Sequence, residues 1–226
     1  MNQLLLADKL LAAGAAVAGY TTRFLGSDYQ KLSVVLNKPL CTISSLKQIH
    51  SPNVIEVTSP IGQELVEGDA LITAKVDMVI GVRVADCLPI LVYDKQSGYK
   101  AAIHAGWKGL VGGVIENTVT LLKQKGVFLN NCVVSLGPSI CEHCFEVGPE
   151  VKEAFYNKFG DDTMATKGHG DRSYISLKKA AIRILSVAGV LPEAIESHLS
   201  CTYCQNELWP SFRRGDKFLR SFCYIG

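Results

Sequence analysis

The sequence predicts an α+β layered fold around a large mixed β-sheet, formed as a single domain over residues 1–226. Three observations carry this reading. Short strand-like runs outnumber helical ones. The two kinds do not alternate strictly, as a parallel βα repeat would require. A chain of 226 residues that is 48% hydrophobic, with a mean hydropathy of +0.19, can bury a large core.

Strands are expected over residues 33–36, 54–58, 70–73, 78–84, 88–93, 100–104 and 132–136. Between two of them, Asp94-Lys95-Gln96-Ser97-Gly98 carries turn residues, so 88–93 and 100–104 are expected to form an antiparallel hairpin. A helix over 110–123 has Val111, Val114, Ile115, Thr118, Leu121 and Leu122 on one stripe. Another over 150–159 follows Gly148-Pro149, with proline suited to a first turn. The third, over 176–188, repeats Leu177, Ala180, Ala181, Ile184, Leu185 and Ala188, with Ser176 as cap and Gly189 as stop. Near the N-terminus, Asp8-Lys9 interrupts the apolar run and no basic segment precedes it. An amphipathic helix is therefore expected there rather than a signal peptide, and with it a cytoplasmic location. No run of 18 apolar residues exists, so no membrane span is expected. The net charge of +2 comes without a dense basic run, which argues against a nucleic-acid partner.

The sharpest chemistry lies in His50, Cys87 and His104. Two imidazoles and one thiolate suit zinc and leave a fourth position open, as catalytic zinc sites do. A closed structural site is the other reading of these ligands. The hairpin would set Cys87, before its first strand, beside His104, at the end of its second. Nothing in the sequence alone brings in His50. After His104, Gly106, Gly109, Gly112 and Gly113 form a glycine-rich turn into a helix, a place for an anion such as phosphate. Ser211-Phe212-Arg213-Arg214 offers two guanidiniums for phosphate or carboxylate, and Tyr20-Thr21-Thr22-Arg23 offers one.

Cys141-Glu142-His143-Cys144 and Cys201-Thr202-Tyr203-Cys204 are two C-x-x-C pairs separated by 56 residues. That gap exceeds ribbon-type spacing, and no thioredoxin-like βαβ context surrounds either pair. Incidental thiols are expected rather than a Cys₄ zinc site. Phosphate-binding loops, dinucleotide glycine fingerprints and G-x-S-x-G elbows are absent.

Taken in order, several segments resemble the motifs of the multicopper polyphenol oxidoreductase (laccase) family. They are Lys47-Gln48-Ile49-His50, Gly68-Asp69-Ala70, Val84-Ala85-Asp86-Cys87-Leu88-Pro89-Ile90, His104-Ala105-Gly106-Trp107, Gly137-Pro138-Ser139-Ile140, Phe145-Glu146-Val147-Gly148, Cys201-Thr202 and Phe212-Arg213-Arg214. Members are regarded as zinc-dependent purine nucleoside phosphorylases with adenosine deaminase and methylthioadenosine phosphorylase activities. The resemblance implies a layered α-β-β-α fold. It implies His50, Cys87 and His104 as metal ligands and catalytic centre, and Arg23, Gln48, Asp86, Lys108 and Arg213 on the substrate side. Purine nucleosides and phosphate are the implied partners, and a monomer or homodimer the implied assembly. Lys108 stands where many members have Arg, Ser176 where many have Asp, and Leu219 where a Gly is usual. A second family-borne reading is a cytoplasmic peptidoglycan-precursor editing hydrolase acting on a UDP-linked muramyl amino acid. A third is a non-catalytic metal-binding protein. The oxidase chemistry in the family name does not fit. A multicopper site needs many imidazoles, and this chain has five His in all.

Overall fold

The structure is a computed structural model that describes residues 3–160 and 164–226. The chain opens with β1 (Leu4–Leu6), the short helix α1 (Asp8–Ala12), β2 (Ala18–Thr21) and α2 (Tyr29–Leu36). Strands β3 (Ile43–Lys47), β4 (Val54–Glu56), β5 (Gln63–Glu67), β6 (Ala70–Thr73) and β7 (Val79–Val84) follow. The hairpin of β8 (Leu88–Asp94) and β9 (Lys100–Ala105) leads into α3 (Trp107–Gly112), α4 (Val114–Gln124) and β10 (Cys132–Leu136). Next come β11 (Glu146–Val147), α5 (Pro149–Phe159), β12 (Ala165–Lys167), β13 (Ser173–Ile175) and α6 (Leu177–Ala188). Strands β14 (Ile195–Ser197) and β15 (Ser221–Ile225) complete the described elements.

The large sheet is in fact two. One has the order β1-β2-β15-β7-β3-β5 and the other β14-β10-β8-β9-β6-β4, with a small third sheet, β11-β13-β12. Both large sheets are mixed: β3 runs parallel to β5 and β7, and β6 and β10 run parallel to β4 and β14. Successive residues of a strand face opposite ways, and the buried clusters sort accordingly. Tyr20, Val82 and Cys223 of the first sheet meet Leu71, Leu91 and Ala102 of the second. The far face of the second sheet, with Ile72, Ile90 and Ile103, carries Leu110, Ile115, Phe155 and Leu185 of the helices. On the far face of the first, Phe222 and Tyr224 lie with Leu32 of α2. The layers are therefore α-β-β-α.

Two local expectations fail for identifiable reasons. Residues 33–36 are helical. Asp28 caps α2 by accepting from Lys31 N at 3.0 Å, and Asn37 closes it in the left-handed region. The β-branched pair Val34-Val35 suggested a strand, but only Leu32 is buried, and Val34 is 80% exposed. The helix expected over 110–123 is two, broken where Gly113 takes φ +95°.

Gly81 sits in the middle of the first sheet, with β15 on one side and β3 on the other. A Cβ there would stand 2.3 Å from the Phe222 ring and 2.6 Å from the Cys223 carbonyl oxygen. The backbone oxygen cannot yield, so Gly81→Ala is expected to destabilise the fold by roughly 1–3 kcal/mol, read by urea unfolding. An unchanged midpoint would show that the strands can part at this crossing.

Candidate metal centre and cavity

The hairpin delivers two of the three candidate ligands. Its register pairs Leu88 with Ala105 and Pro89 with His104. Cys87 thus stands opposite Gly106, where a Cβ would lie 3.0 Å from Cys87 Sγ and 3.1 Å from His50 Cδ2. A side chain at this position would crowd both of them.

His50 arrives by a device that the spacing does not show. Asp69, fully buried, precedes β6 and caps the turn that carries His50. Its carboxylate accepts from the backbone N–H of His50 at 3.0 Å and of Ser51 at 2.6 Å, and from Ser51 Oγ at 2.8 Å. The same carboxylate accepts from His104 Nδ1 at 2.8 Å. One side chain thus holds one ligand's backbone and the other ligand's ring. With Nδ1–H committed to Asp69, Nε2 of His104 is the nitrogen left for a metal, the arrangement that orients metal-bound imidazoles. The rings of His50 and His104 lie 4.8 Å apart at 75°. Ligand atoms of His50, Cys87 and His104 all fall within 4.8 Å of one another, and Cys87 Sγ is 4.0 Å from His50 Nε2.

The electrostatics favour a cation. Burial would raise the Cys87 thiol, but charge and hydrogen bonds from His104 and His50 bring it down to about 6. Burial would depress His104, yet the Cys87 thiolate and Asp69 hold it up at about 9. Burial also works against charge on Asp69, and hydrogen bonds from His104 and Ser51 overcome it, leaving its carboxyl at about 2. A thiolate and a carboxylate therefore surround a proton that a divalent metal can replace. Two imidazoles and a thiolate, with no fourth protein ligand among the described residues, fit a zinc site with an open position.

A cavity of about 370 Å³ opens over these residues. His50, Cys87 and His104 line it together with Trp107, Ile140, Phe145, Phe212 and three arginines, Arg83, Arg213 and Arg220. Arg83 and Arg220 had no site role in the sequence reading, because each is one polar residue in or beside a strand-like run. Arg83 pairs with Glu64 at 2.5 Å, while its Nε is buried with no partner among the described residues. Arg213 lies over the Phe145 ring at 5.7 Å and Arg220 over Phe212 at 5.8 Å.

The other sequence candidates divide. Gln48 lines the cavity, but its amide is committed to Arg83, donating to the carbonyl at 2.8 Å and accepting from the N–H at 2.7 Å. Asp86 also lines it, at φ +84°. Its oxygens accept from Thr202 Oγ1 at 2.6 Å, Ser211 Oγ at 3.0 Å and Arg213 N at 2.7 Å. Both side chains thus have their polar atoms engaged by other residues of the protein. Arg23 and Lys108 do not line the cavity. Arg23 is drawn to the Asn206 carbonyl and to Asp216, 3.6 Å away. Lys108 is exposed and lies 5.6 Å over the Trp107 ring.

Residues 25–225 match the family model described as multi-copper polyphenol oxidoreductase laccase. Adenosine deaminase RL5 of an unknown prokaryotic organism is 38% identical over 65% of this chain and 56% of its own length. Purine nucleoside phosphorylase YfiH of Escherichia coli is 36% identical over 75% of this chain and 67% of its own length. The match thus spans about half to two-thirds of these relatives. In fold, the chain is similar to YlmD from Geobacillus stearothermophilus, with a TM-score of 0.91 at 24% identity, covering 100% of this chain and 96% of that one.

Proposed function

The chain belongs to the multi-copper polyphenol oxidoreductase laccase family, and from that membership we propose that it is a zinc-dependent purine nucleoside phosphorylase. Its substrates would be adenosine, inosine, guanosine and methylthioadenosine, with adenosine deamination as a further activity of the same centre. The observation that carries this reading is the single cavity that joins a His₂Cys metal site to three arginines and three aromatic rings. Its volume suits a small polar ligand with an aromatic part.

Phosphorolysis breaks the bond between C1′ and the purine nitrogen and forms one between C1′ and a phosphate oxygen. The base leaves with the electron pair and takes up a proton. Phosphate is already a charged nucleophile, so the protein must orient it and favour departure of the base. Arg213 and Arg220 supply the positive field for the anion, while Arg83 is paired with Glu64. Phe145, Phe212 and Trp107 offer faces for the base. Asp69 holds the His104 tautomer and the His50 turn, and Asp86 holds Arg213 through its backbone. When bound, zinc supplies Lewis-acid polarisation at His50, Cys87 and His104.

Kinetics with varied phosphate test the assignment of the anion. Arg220→Ala and Arg213→Ala are each expected to raise the phosphate requirement roughly 10- to 100-fold, the loss of one charge-assisted hydrogen bond. Lys108→Ala should leave it nearly unchanged. Unaltered phosphate dependence in both arginine variants would remove phosphate from this cavity. Release of an amino acid from a UDP-linked muramyl substrate, without purine release, would favour the editing hydrolase instead.

A further inference from the structure

The two C-x-x-C pairs are not scattered thiols. Residues 60 apart are brought together by a short parallel bridge between Ser139 and Cys201, closed by Thr202 N donating to the Ser139 carbonyl at 3.1 Å. Each pair forms a tight turn: Cys144 N donates to the Cys141 carbonyl, and Gln205 N to the Cys201 carbonyl, both at 3.0 Å. The four sulfurs of Cys141, Cys144, Cys201 and Cys204 then all lie within 4.8 Å of one another, and Cys144 Sγ is 3.3 Å from Cys204 Sγ. In a tetrahedral zinc tetrathiolate, with Zn–S near 2.3 Å, the sulfurs stand about 3.8 Å apart.

We propose that Cys141, Cys144, Cys201 and Cys204 form a second, structural zinc site that clips together the two segments walling the cavity. Four protein ligands close the coordination shell, unlike the open His₂Cys set, and a closed shell is the mark of a structural site. Binding is Zn²⁺ plus four thiols giving a dianionic tetrathiolate and four protons. The surroundings suit that charge. Cys141 N donates to Cys201 Sγ at 3.3 Å. Arg214 Nη1 donates to the carbonyls of Thr202 and Tyr203, both at 2.9 Å, bracing the second turn.

The clip bears directly on the cavity. Ile140 and Phe145 flank the first turn, and both line the cavity wall. Phe212 and Arg213 follow the second turn and line the same wall. Arg213 Nη1 reaches the Cys144 carbonyl at 3.5 Å, and Thr202 binds Asp86. Losing the metal frees both turns and with them the position of Arg213.

The test is metal content of the full chain, purified anaerobically without added metal. Two zinc per chain are expected. Cys144→Ser with Cys204→Ser should remove one, and Cys87→Ala the other. A double variant that fails to fold is bypassed by cobalt exchange into the unaltered chain, which should add the charge-transfer and d–d bands of a tetrahedral tetrathiolate. One zinc per chain, lost entirely on Cys87→Ala, would overturn the proposal. So would a disulfide among these four cysteines in the mass of the unreduced native chain.

Discussion

Cys87→Ala is expected to lose the metal of the His₂Cys site and at least about 100-fold of the catalytic rate, while the chain still folds. The reasoning is electrostatic. Cys87 is the one ligand of the three that brings a negative charge, and its low pKa keeps that charge present at neutral pH. Without it, two imidazoles remain beside Asp69, and the soft, anionic donor that favours zinc is gone. Folding should survive because Cys87 is only half-buried, at the mouth of a hairpin whose strands pair along six residue pairs. Elemental analysis, activity and thermal unfolding of the one variant check all three statements. A variant that keeps its full metal content would show that the centre does not use this sulfur.

Asp69→Asn is expected to weaken metal binding by about 10- to 100-fold although Asp69 touches no metal. An amide can still accept from part of the His50–Ser51 turn, but its N–H₂ cannot accept from His104 Nδ1. The imidazole loses its fixed tautomer, and the turn loses its charged cap. Stability should fall as well, since Asp69 accepts at least four short hydrogen bonds in the core. The pH dependence has a definite sign. The folded carboxyl lies at about 2, below its ordinary value of 3.8. Its contribution is therefore present above pH 4 and lost as pH falls toward 2. Metal titration of the variant against a competing chelator checks the first expectation, and acid unfolding of the metal-free proteins checks the second. Parental metal affinity in Asp69→Asn would reduce Asp69 to a turn residue.

These residues show how far the sequence could be read. The hairpin was legible because turn residues separate two apolar runs, and that alone sets Cys87 beside His104. His50 was not, because its link is a carboxylate that caps a turn 18–20 residues earlier in the chain. Such a cap has no periodicity, and only the Gly68-Asp69 motif hinted at it. The convergence of the cysteine pairs was hidden for a related reason. Their 56-residue gap looked prohibitive, yet it encloses a small sheet and two helices, and a two-residue bridge closes it. Arg83 and Arg220 were given no site role, because a polar residue in or just before a strand gives no sign of which cavity it will face. Arg23 had the opposite fate. It stands in a promising motif, but Asp216 and the Asn206 carbonyl claim its guanidinium.

The composition already argues against the oxidase implied by the family description, since five histidines cannot hold several coppers. The proposed activity is tested most directly by mass-resolved analysis of the products from inosine and adenosine, with and without phosphate, using the zinc-loaded full chain. Hypoxanthine or adenine should appear together with ribose 1-phosphate only when phosphate is present, and Cys87→Ala should abolish both. Base release that ignores phosphate, or no base release at all from a zinc-replete protein, would contradict the assignment.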